Sequence, residues 1–215
     1  MLRDLISTEV FTILIVVCLL LVAFAKLLYP KRFNDFSSIV INFKYLKVYS
    51  RDQKFLDGFE ALLFINLSIG LAIFSYQFYT KSNISIDTSE ILLFKIGCAI
   101  ALFILIKVLL ERLVSSILSI DSIVNNYLFQ KISYKNYIGL LLIPVNAFLI
   151  YSLNPDALMF TIVLGFLLII NTVGSLSFFK RNQSVIKNNF FYFILYLCAL
   201  EISPYVILYK LITDI

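Results

Sequence analysis

Apolar residues dominate this chain in long runs, broken by short polar stretches. A helix rises about 1.5 Å per residue, so about 20 apolar residues cross a hydrocarbon core. Six runs approach that length: residues 7–29, 58–79, 91–111, 136–153, 156–179 and 190–210. The expected fold is therefore an all-α integral membrane protein with about six transmembrane helices in a single domain, 1–215. Span four is the shortest and contains Pro144. It leaves a second arrangement open, in which spans four and five form a re-entrant hairpin. Between them, Asn154 suits a helix cap and Pro155 a first helical position.

Two polar stretches carry helical periodicity of their own. Phe36, Ile39, Val40, Phe43 and Leu46 recur on one face between Phe36 and Tyr49. Leu113, Val114, Ile117, Ile120, Val124 and Leu128 do the same between Arg112 and Gln130. Both are expected as amphipathic cytoplasmic helices lying in the headgroup layer, either stiffening the bundle or docking a partner.

Charge gives the orientation. The first, third and fifth loops hold Lys31, Arg32, Lys44, Lys47, Arg51, Lys54, Arg112, Lys131, Lys135, Lys180, Arg181 and Lys187. The other side holds Arg3, Lys81, Lys95 and Lys210. Twelve against four puts the odd loops in the cytoplasm and both termini in the periplasm. Lys26, Lys95 and Lys107 lie close enough to span ends to snorkel. The net charge of +5 is thus a topology signal, and no nucleic-acid partner is expected. The first run contains Ala23-Phe24-Ala25, which resembles a cleavage site. Asp4 and Glu9 accompany a single Arg3 ahead of it, so it reads as a retained span rather than a signal peptide.

Composition supports the membrane reading: 61% of residues are hydrophobic and only 14% charged, against about a quarter charged in soluble domains. The chain has no His, which excludes a Ser-His-Asp triad, an HExxH zinc site and ordinary haem ligation. No phosphate loop and no GxGxxG is present. Cys18, Cys98 and Cys198 all fall in apolar runs and suit packing better than a metal site. No metal, cofactor or catalytic set is expected. Lys107 and Glu111, four apart, read as an ion pair at the cytoplasmic interface. Gly97 and Ala101 form a small-xxx-small pair.

Polar residues inside the spans remain. Measured from the cytoplasmic end, Asn66, Asn146, Asn171 and Glu201 sit roughly 12–16 Å deep, one from each of spans two, four, five and six. They are expected to form one polar layer near the midplane. A charged residue at a span centre costs about 2.5–3.5 kcal/mol on insertion scales, so Glu201 should face the bundle interior. Pro204, three residues on, frees the carbonyl of Leu200 beside it. Glu201 reads either as a neutral tie between helices or as a site for a proton, water or cation.

The last span reads Tyr196-Leu197-Cys198-Ala199-Leu200-Glu201-Ile202-Ser203-Pro204, followed by Lys210. This pattern resembles the terminal Y-x-C-x-x-E-x-x-P…K signature of a Bacteroidota-type family of small polytopic inner-membrane proteins of unknown function. Pro30-Lys31-Arg32-Phe33 and the Gly139–Pro144 stretch are similar to the same family. The resemblance implies a bacterial inner membrane and brings no activity. It singles out Tyr196, Cys198, Glu201, Pro204 and Lys210. Three functions follow as expectations. The first is a non-enzymatic accessory or scaffold subunit of an envelope or protein-export assembly, with membrane lipids and other inner-membrane proteins as partners. The second is a small proton- or cation-coupled transporter using Glu201. The third, least supported, is an intramembrane enzyme on lipid substrates.

Overall fold

The computed structural model describes residues 8–39, 44–50, 57–81, 90–118, 121–151, 157–181 and 210. Among the described residues the chain forms seven helices and no strand. They are α1 Thr8–Leu28, α2 Pro30–Ser37, α3 Lys44–Tyr49, α4 Gly58–Lys81, α5 Glu90–Ile117, α6 Asp121–Tyr151 and α7 Ala157–Arg181. Four contain stretches long and apolar enough to cross a membrane: Glu9–Leu28, Gly58–Thr80, Ile91–Ile117 and Leu158–Phe178. The sixth expected span, apart from Lys210, lies outside the described residues.

The order of packing follows from close contacts. α1 runs antiparallel to α4, because Phe11 meets Tyr76 at one end and Tyr29 meets Phe59 at the other. α4 and α6 run parallel: a Cβ on Gly139 would stand 2.8 Å from Leu67 Cα, and one on Gly70 would stand 3.2 Å from Leu142 Cβ. α5 lies antiparallel to both, and α7 returns along α6, with Phe160 beside Phe74 and Gly174 against Tyr134. Gly139 and Gly174 are each the reason two helices approach so closely. Any side chain at these positions would collide with Leu67 backbone or with the Tyr134 ring.

α4 and α6 form the centre. The apolar window of α4 is 44% buried, against 11% in α5 and 17% in α7. α6 is absent from the four apolar stretches because Asn136, Pro144 and Asn146 dilute its apolar run, and its first half is polar. That polar half is nevertheless packed inside: Tyr127, Gln130, Lys131, Ser133, Tyr134 and Asn136 are all buried. At 31 residues, α6 is about 45 Å long, enough to traverse the whole bundle. Its far end reaches α1, where Tyr151 and Thr12 hydroxyls share a 2.7 Å hydrogen bond. The helix continues through Pro144, which is exposed.

Two expectations are corrected here. The periodic stretch Arg112–Gln130 is not one interfacial helix. Its first part completes α5, with Leu113 and Ile117 exposed, and its second part opens α6, with Val124 and Leu128 buried. The helical spacing runs through a break between two helices that bury different faces. Expected spans three and four consequently extend to Ile117 and back to Asp121. The stretch Phe36–Tyr49 likewise divides between α2 and α3. Its apolar face turns inward: Phe36, Ile39 and Leu46 pack with Ala25, Phe59, Leu63, Phe129 and Tyr134. An aromatic network of Phe36, Tyr45, Phe59, Tyr137 and Phe129 gives these short helices more to bury against protein than against headgroups.

The elbow between α1 and α2 is written in the sequence. Pro30 occupies the first helical position of α2, where its fixed φ fits and its missing N–H costs nothing. Glu9 in the first turn of α1 and Lys26 in the last complement the helix dipole.

Candidate functional site

Charged side chains concentrate at one end of the bundle, where α1 ends, α4 and α6 begin, and α5 ends. Two clusters occur there. In the first, Glu111 of α5 is fully buried and its Oε1 accepts a hydrogen bond from Lys131 Nζ of α6 at 2.7 Å. Lys107, one turn earlier on α5, places Nζ 3.9 Å from the same oxygen. Lys131 also lies 5.5 Å from the centre of the Tyr127 ring, a cation–π distance. Flanking bonds extend the cluster. Gln130 Nε2 donates to the Gly174 carbonyl at 2.7 Å, and Ser115 Oγ donates to Arg112 O at 2.8 Å and stands 3.1 Å from Asp121 Oδ1. These contacts tie α5, α6 and α7 together.

The Lys107–Glu111 pair expected from four-residue spacing is present, and it is buried among the helices at the charged end of the bundle. The nearer partner, Lys131, was legible only as a loop cation. Burying such charges is stabilising only when each is compensated, so the cluster constrains how α5 and α6 meet.

In the second cluster the Arg32 guanidinium of α2 joins α3 and α4. It bonds Asp57, donates to Glu60 Oε1 at 3.2 Å, and sits 3.4 Å from the Tyr45 hydroxyl. Phe59, Tyr49 and Tyr45 ring centres lie 4.8, 5.2 and 5.9 Å from it. Burial works against the Arg32 charge, but Tyr45 and Asp57 outweigh it and hold the guanidinium above its ordinary value. Burial pushes the Tyr45 phenol up as well, against the pull of Arg32, so it stays neutral.

The midplane residues are only partly brought together. Asn146 Nδ2 donates to the Gly70 carbonyl at 2.9 Å, joining α6 to α4. Asn66 lies one turn before Gly70 on α4, fully buried, with neither amide atom hydrogen-bonded among the described residues. Asn136 of α6, unexpected from sequence, is in the same condition. Asn171 is half-buried on α7, and its backbone carbonyl accepts Ser175 Oγ at 3.2 Å. No hydrogen bond links Asn66, Asn146 and Asn171 to one another among the described residues. Glu201, Tyr196, Cys198 and Pro204 lie outside the described residues, and Lys210 is exposed.

The described chemistry is therefore that of ties between helices. Among the described residues, no three His, Cys, Asp or Glu side chains gather as a metal site would require.

No curated protein and no solved structure matches this chain. One family model does, over residues 11–212, which is nearly the whole length and takes in α2 to α7, all but the first three residues of α1, and the terminal Glu201–Pro204 motif. The chain belongs to the family described as Domain of unknown function (DUF4271).

Proposed function

We propose that this protein is a non-enzymatic, multi-pass subunit of a larger assembly in a bacterial inner membrane, one concerned with the envelope or with protein export. One observation carries the reading. Its buried and half-buried charges close on each other, as in buried Glu111 with Lys131 and half-buried Arg32 with Asp57 and Glu60. Its outward faces on α5 and α7 are dominated by large apolar side chains, such as Leu102, Ile106 and Leu109 or Ile162, Phe166 and Ile169. Such faces suit lipid and the helices of neighbouring membrane proteins, not a soluble substrate. In this reading α6 and the 190–210 segment complete six crossings, the basic end faces the cytoplasm, and both termini face the periplasm.

Affinity purification from native membranes in mild detergent, with crosslinking and mass spectrometry, is the test. The expected result is stoichiometric recovery of the same inner-membrane proteins before and after crosslinking. Recovery of this chain alone under both conditions overturns the proposal. Proton- or cation-coupled transport through Glu201 is the competing reading. A pH-dependent flux in reconstituted vesicles that Glu201→Gln abolishes, with folding intact, establishes it instead.

A further inference from the structure

The elbow between α1 and α2 holds a crevice of about 430 Å³, lined by Lys26, Pro30, Lys31, Phe33, Asn34 and Ser37. Its position follows from helix length. α1 has 21 residues, so it is about 30 Å long, the thickness of a hydrocarbon core. The elbow thus falls at the headgroup level of one leaflet. Lys31, Asn34 and Ser37 recur three apart along the exposed face of α2, and Lys26 approaches from the last turn of α1.

Among the described residues, no acidic side chain compensates the charge there. Every acid on the neighbouring elements is engaged elsewhere: Asp35 accepts Lys44 Nζ at 3.0 Å, and Asp57 and Glu60 hold Arg32. Glu9 is at the other end of α1. No ion pair is formed by Lys26 or Lys31 among the described residues, and both are exposed. On the side of α1 that Lys26 and Pro30 share, at about 100° per residue, Leu19, Ala23 and Leu27 form an exposed apolar strip leading from the crevice, Leu19 and Leu27 being more than half exposed. A polar, doubly cationic notch beneath a bare apolar stripe has the chemistry of one ligand class. Lysine ammonium groups act as point-charge partners of phosphate, and basic pockets beside membrane helices take anionic headgroups.

We propose that the α1–α2 elbow binds an anionic phospholipid, its phosphate between Lys26 and Lys31 and one acyl chain along Leu19, Ala23 and Leu27. This rests on the membrane reading of the fold. Ser37 Oγ already donates to the Asn34 carbonyl at 2.9 Å, so it offers an acceptor, and the Asn34 side-chain amide offers both a donor and an acceptor; acceptors beside the phosphate suit headgroups that carry hydroxyls, such as phosphatidylglycerol.

Native mass spectrometry of the full-length protein, released from mixed phosphatidylglycerol and phosphatidylcholine micelles, tests this. The expected result is one retained phosphatidylglycerol per chain, and retention undiminished by millimolar inorganic phosphate. A basic residue near a membrane surface is worth about fivefold in anionic-lipid binding, so K26Q/K31Q should weaken retention by roughly 25-fold. The charge-preserving K26R/K31R should keep it, and Lys95→Gln, at the opposite end of the bundle, should leave it unchanged. Equal retention of both lipids, no loss in K26Q/K31Q, or displacement by inorganic phosphate overturns the proposal. Resistance to alkaline carbonate extraction is scored on the same membranes. Its failure refutes the membrane reading itself, whereas a resistant protein without lipid preference refutes only the elbow site.

Discussion

Glu111 and Lys131 are separated by 20 residues in the chain and by 2.7 Å in space, with Lys107 at 3.9 Å from the same carboxylate oxygen. All three side chains are almost sealed from solvent. Glu111→Gln leaves two buried ammonium groups facing a neutral amide. The expected loss is about 3–5 kcal/mol, the range for removing one partner of a buried pair. Lys131→Met should cost less, because Lys107 stays beside the carboxylate. The double variant should fall short of the sum of the two by about 1–3 kcal/mol. Thermal unfolding of the four proteins in one detergent gives the cycle. Additive losses would show that the two groups do not interact.

Gly139 and Gly165 make a matched pair of glycines. A Cβ on Gly139 meets Leu67 backbone at 2.8 Å, whereas one on Gly165 meets nothing within 4 Å. Gly139→Ala should therefore destabilise by about 1–3 kcal/mol through overpacking of α4 against α6. Gly165→Ala, on α7, should be neutral or stabilising by roughly 0.5–1 kcal/mol, since alanine is the better helix former. Midpoints of unfolding decide both, and equal effects would contradict the packing described.

Arg32→Lys should not preserve the function of arginine at this position. A lysine has no planar fork to bond Asp57 and Glu60 at once, and stacks poorly on Tyr49 and Phe59. The expected cost is about 1–2 kcal/mol, reduced from a fully buried value because the Asp57 and Glu60 side chains keep 23% and 22% of their exposure. The sharper readout is local: proteolysis between α2 and α4 should accelerate in Arg32→Lys while the remaining bundle stays resistant.

Orientation is tested by single cysteines placed in a cysteine-free background. Lys44→Cys on α3 should react with a membrane-impermeant maleimide only from the cytoplasmic face. Lys95→Cys on α5 should react only from the periplasmic face. Exchange of the two patterns would invert the topology.

The helices that carry long apolar runs were legible from sequence, because lipid-length hydrophobicity is a signal each segment carries alone. α1, α4 and α7 follow their expected bounds to within a few residues. α6 was not legible. Its polar first half reads as a loop helix, and only the neighbours that cover Gln130, Lys131 and Asn136 turn it inward. The same limit applies to Lys131: nothing local in the chain indicates that its partner is 20 residues away. The i,i+4 spacing of Lys107 and Glu111 does identify that pair, but spacing carries no information about burial. Asn146 was identified as a buried polar residue, yet its partner is the Gly70 carbonyl, and backbone acceptors are invisible to side-chain pattern reading.

α6 also has a consequence for how the protein is made. A segment carrying Lys131, Lys135, Asn136 and Asn146 is a poor candidate for unaided entry into lipid from a translocation channel. Its stable seat is built by α4 and α5, synthesised before it, and by α7, synthesised after it. On the six-crossing arrangement proposed above, the nascent chain must hold α6 at the channel or the bilayer surface until α7 emerges, which makes membrane integration of this helix a cooperative, late event in biogenesis.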